Sequence, residues 1–181
     1  PNASAFDAVV FASADVNADD FQVRVSRLGG AARHFTLYAS SDDNALLVSG
    51  KLHARRRAGD ANQKVPGTDL LEVVDSTNAK TDFIGHSDYA FLAADDLAGI
   101  IWNNLPANQR CILSAADSTR WRYNPQPSCS PIGFRTAMAY LRVAGSKQAA
   151  LQQLSANIVE LPESLEKSQL IQARQIIDVL N

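Results

Sequence analysis

Phe35-Thr36-Leu37-Tyr38-Ala39-Ser40-Ser41-Asp42-Asp43-Asn44-Ala45-Leu46 is the stretch that decides the fold. It begins in a short apolar run, His34 to Ala39, that reads as a strand. Small polar residues and two acids follow, and Asn44-Ala45-Leu46 then opens a short helix over about 44–53. Upstream, Phe6-Asp7-Ala8-Val9-Val10-Phe11-Ala12-Ser13-Ala14 has the same texture and predicts a buried strand covered on both faces. Asp19 and Asp20 suit the positive first turn of a helix, Phe21, Val25 and Leu28 form its apolar stripe, and Gly29-Gly30 ends it. Downstream, Leu70-Leu71-Glu72-Val73-Val74 predicts a third strand, and residues 75–88 a polar loop. Leu92, Leu97, Ile100, Ile101 and Leu105 then mark a helix that Pro106 stops.

Strands alternating with helices are crossover units on a parallel, doubly wound α/β sheet. The first strand begins at Phe6 with nothing ahead of it to pair, so the sequence reads as half a sheet. Beyond about residue 110 the texture changes. Residues 1–109 carry a net charge of −5 and residues 110–181 one of +3. Pro125, Pro127, Pro131 and several serines predict a linker or extended arm over 113–133. The remainder, 134–181, predicts a helical hairpin: one helix marked by Phe134, Met138 and Leu141, interrupted at Gly145 and resuming through Leu151 and Leu154, and a second opening at Pro162. The second carries the narrow stripe Leu170, Ala173, Ile177 and Leu180, which fits docking on the main body or a dimerisation arm.

Composition narrows the function. The 181 residues are 46% hydrophobic and 20% charged, with a net charge of −2, ordinary for a globular chain with a real core. No basic balance points to nucleic acid, and no apolar run reaches the ~20 residues of a membrane span. Pro1-Asn2-Ala3-Ser4-Ala5 has no signal-peptide character, so either the mature chain starts here or an upstream part is missing. Cys111 and Cys129 allow one disulfide. Arg55-Arg56-Arg57 reads as a solvated loop. His34 and His53 form no ligand spacing and no glycine-rich phosphate loop occurs, so neither metal nor cofactor is expected.

Ligands and catalytic groups of a doubly wound sheet gather beyond the carboxyl ends of its strands. Asp15, Asp42-Asp43 and His86 all fall at such ends. A carboxylate after one strand can hold an imidazole after the next in the tautomer that takes a proton from a hydroxyl. The competing reading makes Asp43 a helix cap and His86 an ordinary loop residue. Gly85-His86-Ser87-Asp88-Tyr89 starts like a Gly-x-Ser-x-Gly nucleophile elbow, but Tyr89 replaces the last glycine and no histidine follows residue 86. Ser87 is therefore a poor nucleophile candidate.

With these residues in view, the chain resembles a bacterial family of α/β-hydrolase-like proteins of unknown function. Three stretches carry the resemblance: Ala12 through Asp19, Phe35 through Leu46, and Phe83-Ile84-Gly85-His86-Ser87 with Tyr89. The resemblance covers about residues 6–112 and implies that 1–112 is the C-terminal half of an α/β-hydrolase domain. It implies the last three strands of an eight-stranded sheet, Asp43 rather than Asp42 as the acid, and His86 as the general base. It assigns Asp15 no role, and a loop cap remains the plain reading there. The family's elbow serine and oxyanion loop would lie in an earlier half.

The expectation is thus part of a serine-type hydrolase acting on a small acyl or ester substrate, inactive alone. Its open sheet flank would be covered by the N-terminal half of the same protein, by another chain or by a second copy. The alternative is a non-catalytic binding or assembly module that keeps the fold. A self-contained hydrolase using Ser87 or a residue of the tail is a third.

Overall fold

The computed structural model describes residues 4–63, 65–77, 94–124 and 126–180. Its chain divides into two compact units, Pro1–Ala94 with Leu113–Pro125, and Asp95–Ile112 with Gln126–Asn181.

The first unit is built on a mostly parallel five-stranded sheet of the doubly wound α/β class. In chain order it contains β1 (Phe6–Ala12), α1 (Ala18–Arg27), β2 (Ala32–Ala39), α2 (Asn44–His53), β3 (Leu71–Asp75), β4 (Leu113–Ala115) and β5 (Arg120–Tyr123). The spatial order is β1-β2-β3-β5-β4, with only the β4–β5 pairing antiparallel. Strand alternation explains the core. Val9, Phe11, Phe35, Leu37, Leu71 and Val73 share one face and meet Ala18, Phe21 and Val25 of α1. Phe11 stacks edge-on against Phe21, with ring centroids 5.0 Å apart. Thr36, Tyr38 and Val74 point the other way and are buried too, so β2 is covered on both faces, as a central parallel strand should be.

β1 differs from its expectation. It is an edge strand, Phe6 is 60% exposed, and nothing among the described residues pairs with its outer side. Its apolar run fits a buried strand, but burial depends on a neighbour that local sequence does not specify. The segment 113–133 is a second correction. It does not form a simple linker, because β4 and β5 lie within it and extend the sheet beyond β3. The parallel β3 is consequently not the sheet's last strand. Asp117 closes the β4–β5 turn, accepting from the N–H groups of Thr119 at 3.0 Å and Arg120 at 2.8 Å.

Two close approaches shape the turns. Gly59 N–H donates to Ala14 O at 3.0 Å, and Gly59 O accepts from Ser40 N at 2.9 Å. A Cβ on Gly59 would sit 2.5 Å from Ala14 N and 2.8 Å from Leu46 Cδ1. Ser13, at the start of the same turn, adopts a left-handed φ of 44°.

The second unit holds α3 (Pro131–Ala144), α4 (Lys147–Glu160) and α5 (Leu165–Val179), where a hairpin of two helices was expected. Gly145, at φ 71°, ends α3, and Ser146 caps a separate α4. The last helix starts at Leu165 behind the cap of Ser164, after Pro162 rather than at it. Leu170, Ala173, Ile176 and Ile177 bury its apolar face, while Phe134, Ala137, Met138, Ala150 and Leu154 bury those of α3 and α4. The three helices pack on one another.

Helical structure from Ala94 widens into a π-helical turn at Ala98–Trp102. The wider turn shifts the stripe, so Ile100 is buried while Ile101, expected on the same face, is 64% exposed. Arg110 donates to Asp96 at 2.7 Å in a fully buried ion pair, and a Cβ on Gly99 would sit 2.9 Å from Phe134 Cζ. Asp95 is also buried and faces Arg135 at 3.2 Å. That contact is Coulombic, because Oδ1 of Asp95 has no aligned donor. Burial raises the Asp95 carboxyl above its ordinary value, and Arg135 partly opposes the rise. A Cys111–Cys129 disulfide completes this unit, with Cα atoms 5.7 Å apart. Ser128 Oγ donates to Cys111 O beside it.

Candidate active site at the strand ends

Asp43 stands directly after β2 and is completely buried. Its φ and ψ of −73° and 92° are extended, and Oδ1 accepts from Leu46 N at 3.0 Å, so it caps α2. The capping reading is therefore realised. Asp42 is only partly buried, and its N–H donates to Ser40 Oγ at 3.2 Å.

His86 lies outside the described residues, as do Gly85, Ser87 and Tyr89. The chain leaves β3 through Ser76 and Thr77 on its way toward them. Ala39 and Asp75 are register partners at the ends of β2 and β3, so the two exits are adjacent. Ser76 ties them together, donating from N and Oγ to Ala39 O at 2.8 and 3.1 Å. Ser41 donates from N and Oγ to Thr77 Oγ1 at 2.9 and 3.1 Å. Thr77 Oγ1 in turn donates to Asp75 Oδ1, which also accepts from Thr77 N at 3.0 Å. Asp75 borders a cleft of about 190 Å³ with Ala39, Val73, Trp121 and Arg122. Ser41, Asp75 and Thr77 escaped sequence reasoning. Their connection depends on strand register, which no local motif encodes.

Asp15 is neither isolated nor a loop cap. It accepts from Ser49 Oγ at 2.9 Å and lies 3.1 Å from Arg57 Nε. Arg57 is buried, although the triple-arginine segment reads as solvated. Nε lacks an aligned acceptor, so the contact with Asp15 is one of charge. Arg57 NH2 also donates to Ser49 O at 3.3 Å, and Arg56 pairs with Asp19 on α1. The arginines thus clasp the segment after α2 to the turn after β1. Ala18 N–H donating to Arg56 O and Ala58 N–H donating to Val16 O reinforce the clasp.

His53 lies at the exposed end of α2 with Nδ1 3.1 Å from Ser49 O, and His34 is a half-buried β2 residue. No cluster of three or more His, Cys, Asp or Glu side chains suited to a metal occurs among the described residues. Nor is any helix among them long and apolar enough to cross a membrane.

A mostly parallel sheet flanked by helices is the architecture of an α/β-hydrolase fold. Residues 2–99 match the family described as alpha/beta hydrolase of unknown function (DUF900), and the chain belongs to that family. No curated protein and no solved structure matches the chain.

Proposed function

We propose that the chain carries the acid and the base of a serine-type α/β-hydrolase that cleaves ester or related acyl bonds. Asp43 is the acid and His86 the base, and the nucleophilic serine comes from polypeptide outside this sequence. The observation that carries the reading is the complete burial of Asp43 at the carboxyl end of β2, next to the β3 exit that leads to His86. Burial withdraws water from the carboxylate and strengthens its hold on an imidazolium. In the reaction, His86 accepts the serine proton as the hydroxyl attacks the acyl carbon, and Asp43 accepts the other imidazole N–H. His86 then protonates the departing alkoxide and later activates the water that releases the acid.

Among the described residues the outer side of β1 is unpaired, which supports placing the serine-bearing polypeptide there. A strand from the N-terminal half of the same protein would extend the sheet there and bring the elbow to the same end. The same edge favours a second reading, in which a non-catalytic module recruits another chain or a second copy. Hydrolysis of short-chain nitrophenyl esters by a longer parent chain and by this chain alone separates the two. The parent is expected to be active, its Asp43→Asn variant to lose on the order of 10⁴-fold in kcat, and this chain to stay at background. Full activity in a His86→Ala parent would overturn the assignment.

A further inference from the structure

We propose that the cleft at the ends of β2, β3 and β5 binds a small zwitterion, an α-amino acid with an aliphatic side chain. The proposal is independent of the acid–base reading above. Strand register places the residues. Ala39, Asp75 and Arg122 are aligned across the three strands, and Leu37, Val73 and Arg120 form the row before them. Register partners in parallel strands point to the same face, so both rows lie on the side that packs on α1. All residues around the cleft belong to the first unit. The space exists because its walls are small: Ala39 stands where the row before has Leu37, and Ala58 and Ala61, on the segment after α2, border the same space. Its volume of about 190 Å³ equals that of about six waters, the scale of a small amino acid.

Four charged side chains border the cleft, and they do not cancel in pairs. Arg120 is held by Asp117 on the β4–β5 turn. Asp60 is buried, and its two oxygens accept from Asn62 N and Gln63 Nε2, each at 2.9 Å. Asp75 accepts from Thr77 through Oδ1, which leaves Oδ2 without a partner among the described residues. The Arg122 guanidinium also has no partner among them, although register puts it beside Asp75. A cation and a carboxylate on strands roughly 4.8 Å apart thus both keep bonding capacity at the cleft. A guanidinium grips a carboxylate with two parallel N–H donors, and an aspartate accepts from an ammonium. A simple anion would meet Asp60 and Asp75 with only one free cation to hold it, and a simple amine would leave Arg122 without a counter-charge. An α-amino acid carries both groups on one carbon and answers both residues, while its side chain finds an apolar wall in Ala39, Ala58, Val65 and Val73.

The test is an amide NMR titration of the whole chain with L-valine and with its two halves, isovalerate, which lacks the ammonium, and isobutylamine, which lacks the carboxylate. L-Valine is expected to shift the amides of Ala39, Asp75 and Arg122 saturably, with a Kd of about 1 mM or tighter. Each half should bind at least about tenfold more weakly, since each loses a charge-assisted contact. Arg122→Met should weaken L-valine by a similar factor. Asp75→Asn, which keeps an oxygen for Thr77, should weaken L-valine but not isovalerate. Ala61→Leu, which fills the cleft, should abolish binding with the remaining amide shifts preserved, and it stands in if Arg122→Met fails to fold. The absence of a saturable shift with L-valine overturns the proposal. So does a half that binds as tightly as L-valine, which would leave a site for a plain acid or amine. Wild-type affinity in Arg122→Met or Ala61→Leu would show that L-valine binds elsewhere and overturn it equally.

Discussion

Replacing both Cys111 and Cys129 by serine should destabilise the second unit by about 3 kcal/mol, chiefly by freeing the unfolded chain. The cysteines are 18 residues apart in sequence, and the loop between them includes β4 and β5. Chain-entropy arithmetic for a loop of that size gives roughly 11 cal/mol/K, or about 3 kcal/mol at room temperature. Urea unfolding is the assay, followed by Trp102 fluorescence in a Trp121→Phe background, since Trp102 belongs to the second unit and Trp121 to the first. With a slope of about 2 kcal/mol/M, the midpoint should fall by about 1.5 M. Oxidised wild type unfolded without reductant should show no reactive thiol, since no free cysteine remains. Coincident midpoints for the wild type and the double serine variant would refute the loop-closure reasoning.

Further predictions concern the buried charges of the second unit. Because burial raises the Asp95 carboxyl, its contribution to stability is fully present below about pH 3.8, the unfolded value, and is lost as pH rises through the folded value. Asp95→Asn should therefore raise the thermal midpoint at pH 7 and flatten its pH dependence; a lower midpoint would show that Arg135 outweighs desolvation. Arg110→Met should cost about 3–5 kcal/mol by removing the cation that faces the buried Asp96 carboxylate, and adding Asp96→Leu should recover part of that loss in chemical denaturation. If the double variant is no more stable than the single one, the lost charge pairing is not what destabilises Arg110→Met.

The legible parts of the fold were those that local pattern determines. Phe35 to Ala39 is a continuous apolar run because both faces of β2 are buried, and that texture survives without knowledge of neighbours. Asp19 and Asp20 marked α1 because the helix dipole acts over a single turn. β4 and β5 were hidden: Leu113–Ala115 is too short for periodicity, and Arg120-Trp121-Arg122-Tyr123 sits among serines and prolines. The strand character of β5 comes from pairing with β3, a contact remote in sequence, and that of β4 from pairing with β5. Likewise, three consecutive arginines carry no sign that Arg57 turns inward to Asp15. Asp43 was readable because a helix start and a strand end coincide there. The bond from Ser41 to Thr77 was not, because it follows from the alignment of Ala39 with Asp75.

Gly59 has a consequence for how this sequence can diversify. Atoms as close as 2.5 Å to its absent side chain are main-chain atoms, which cannot swing aside as a flexible side chain would. In a saturation library, position 59 should return glycine almost alone, even under selection for solubility with no demand on catalysis. Gly145, with nothing within 4 Å, should instead admit asparagine, whose backbone tolerates the left-handed region. Two glycines that look alike in the sequence would thus separate cleanly by the company they keep.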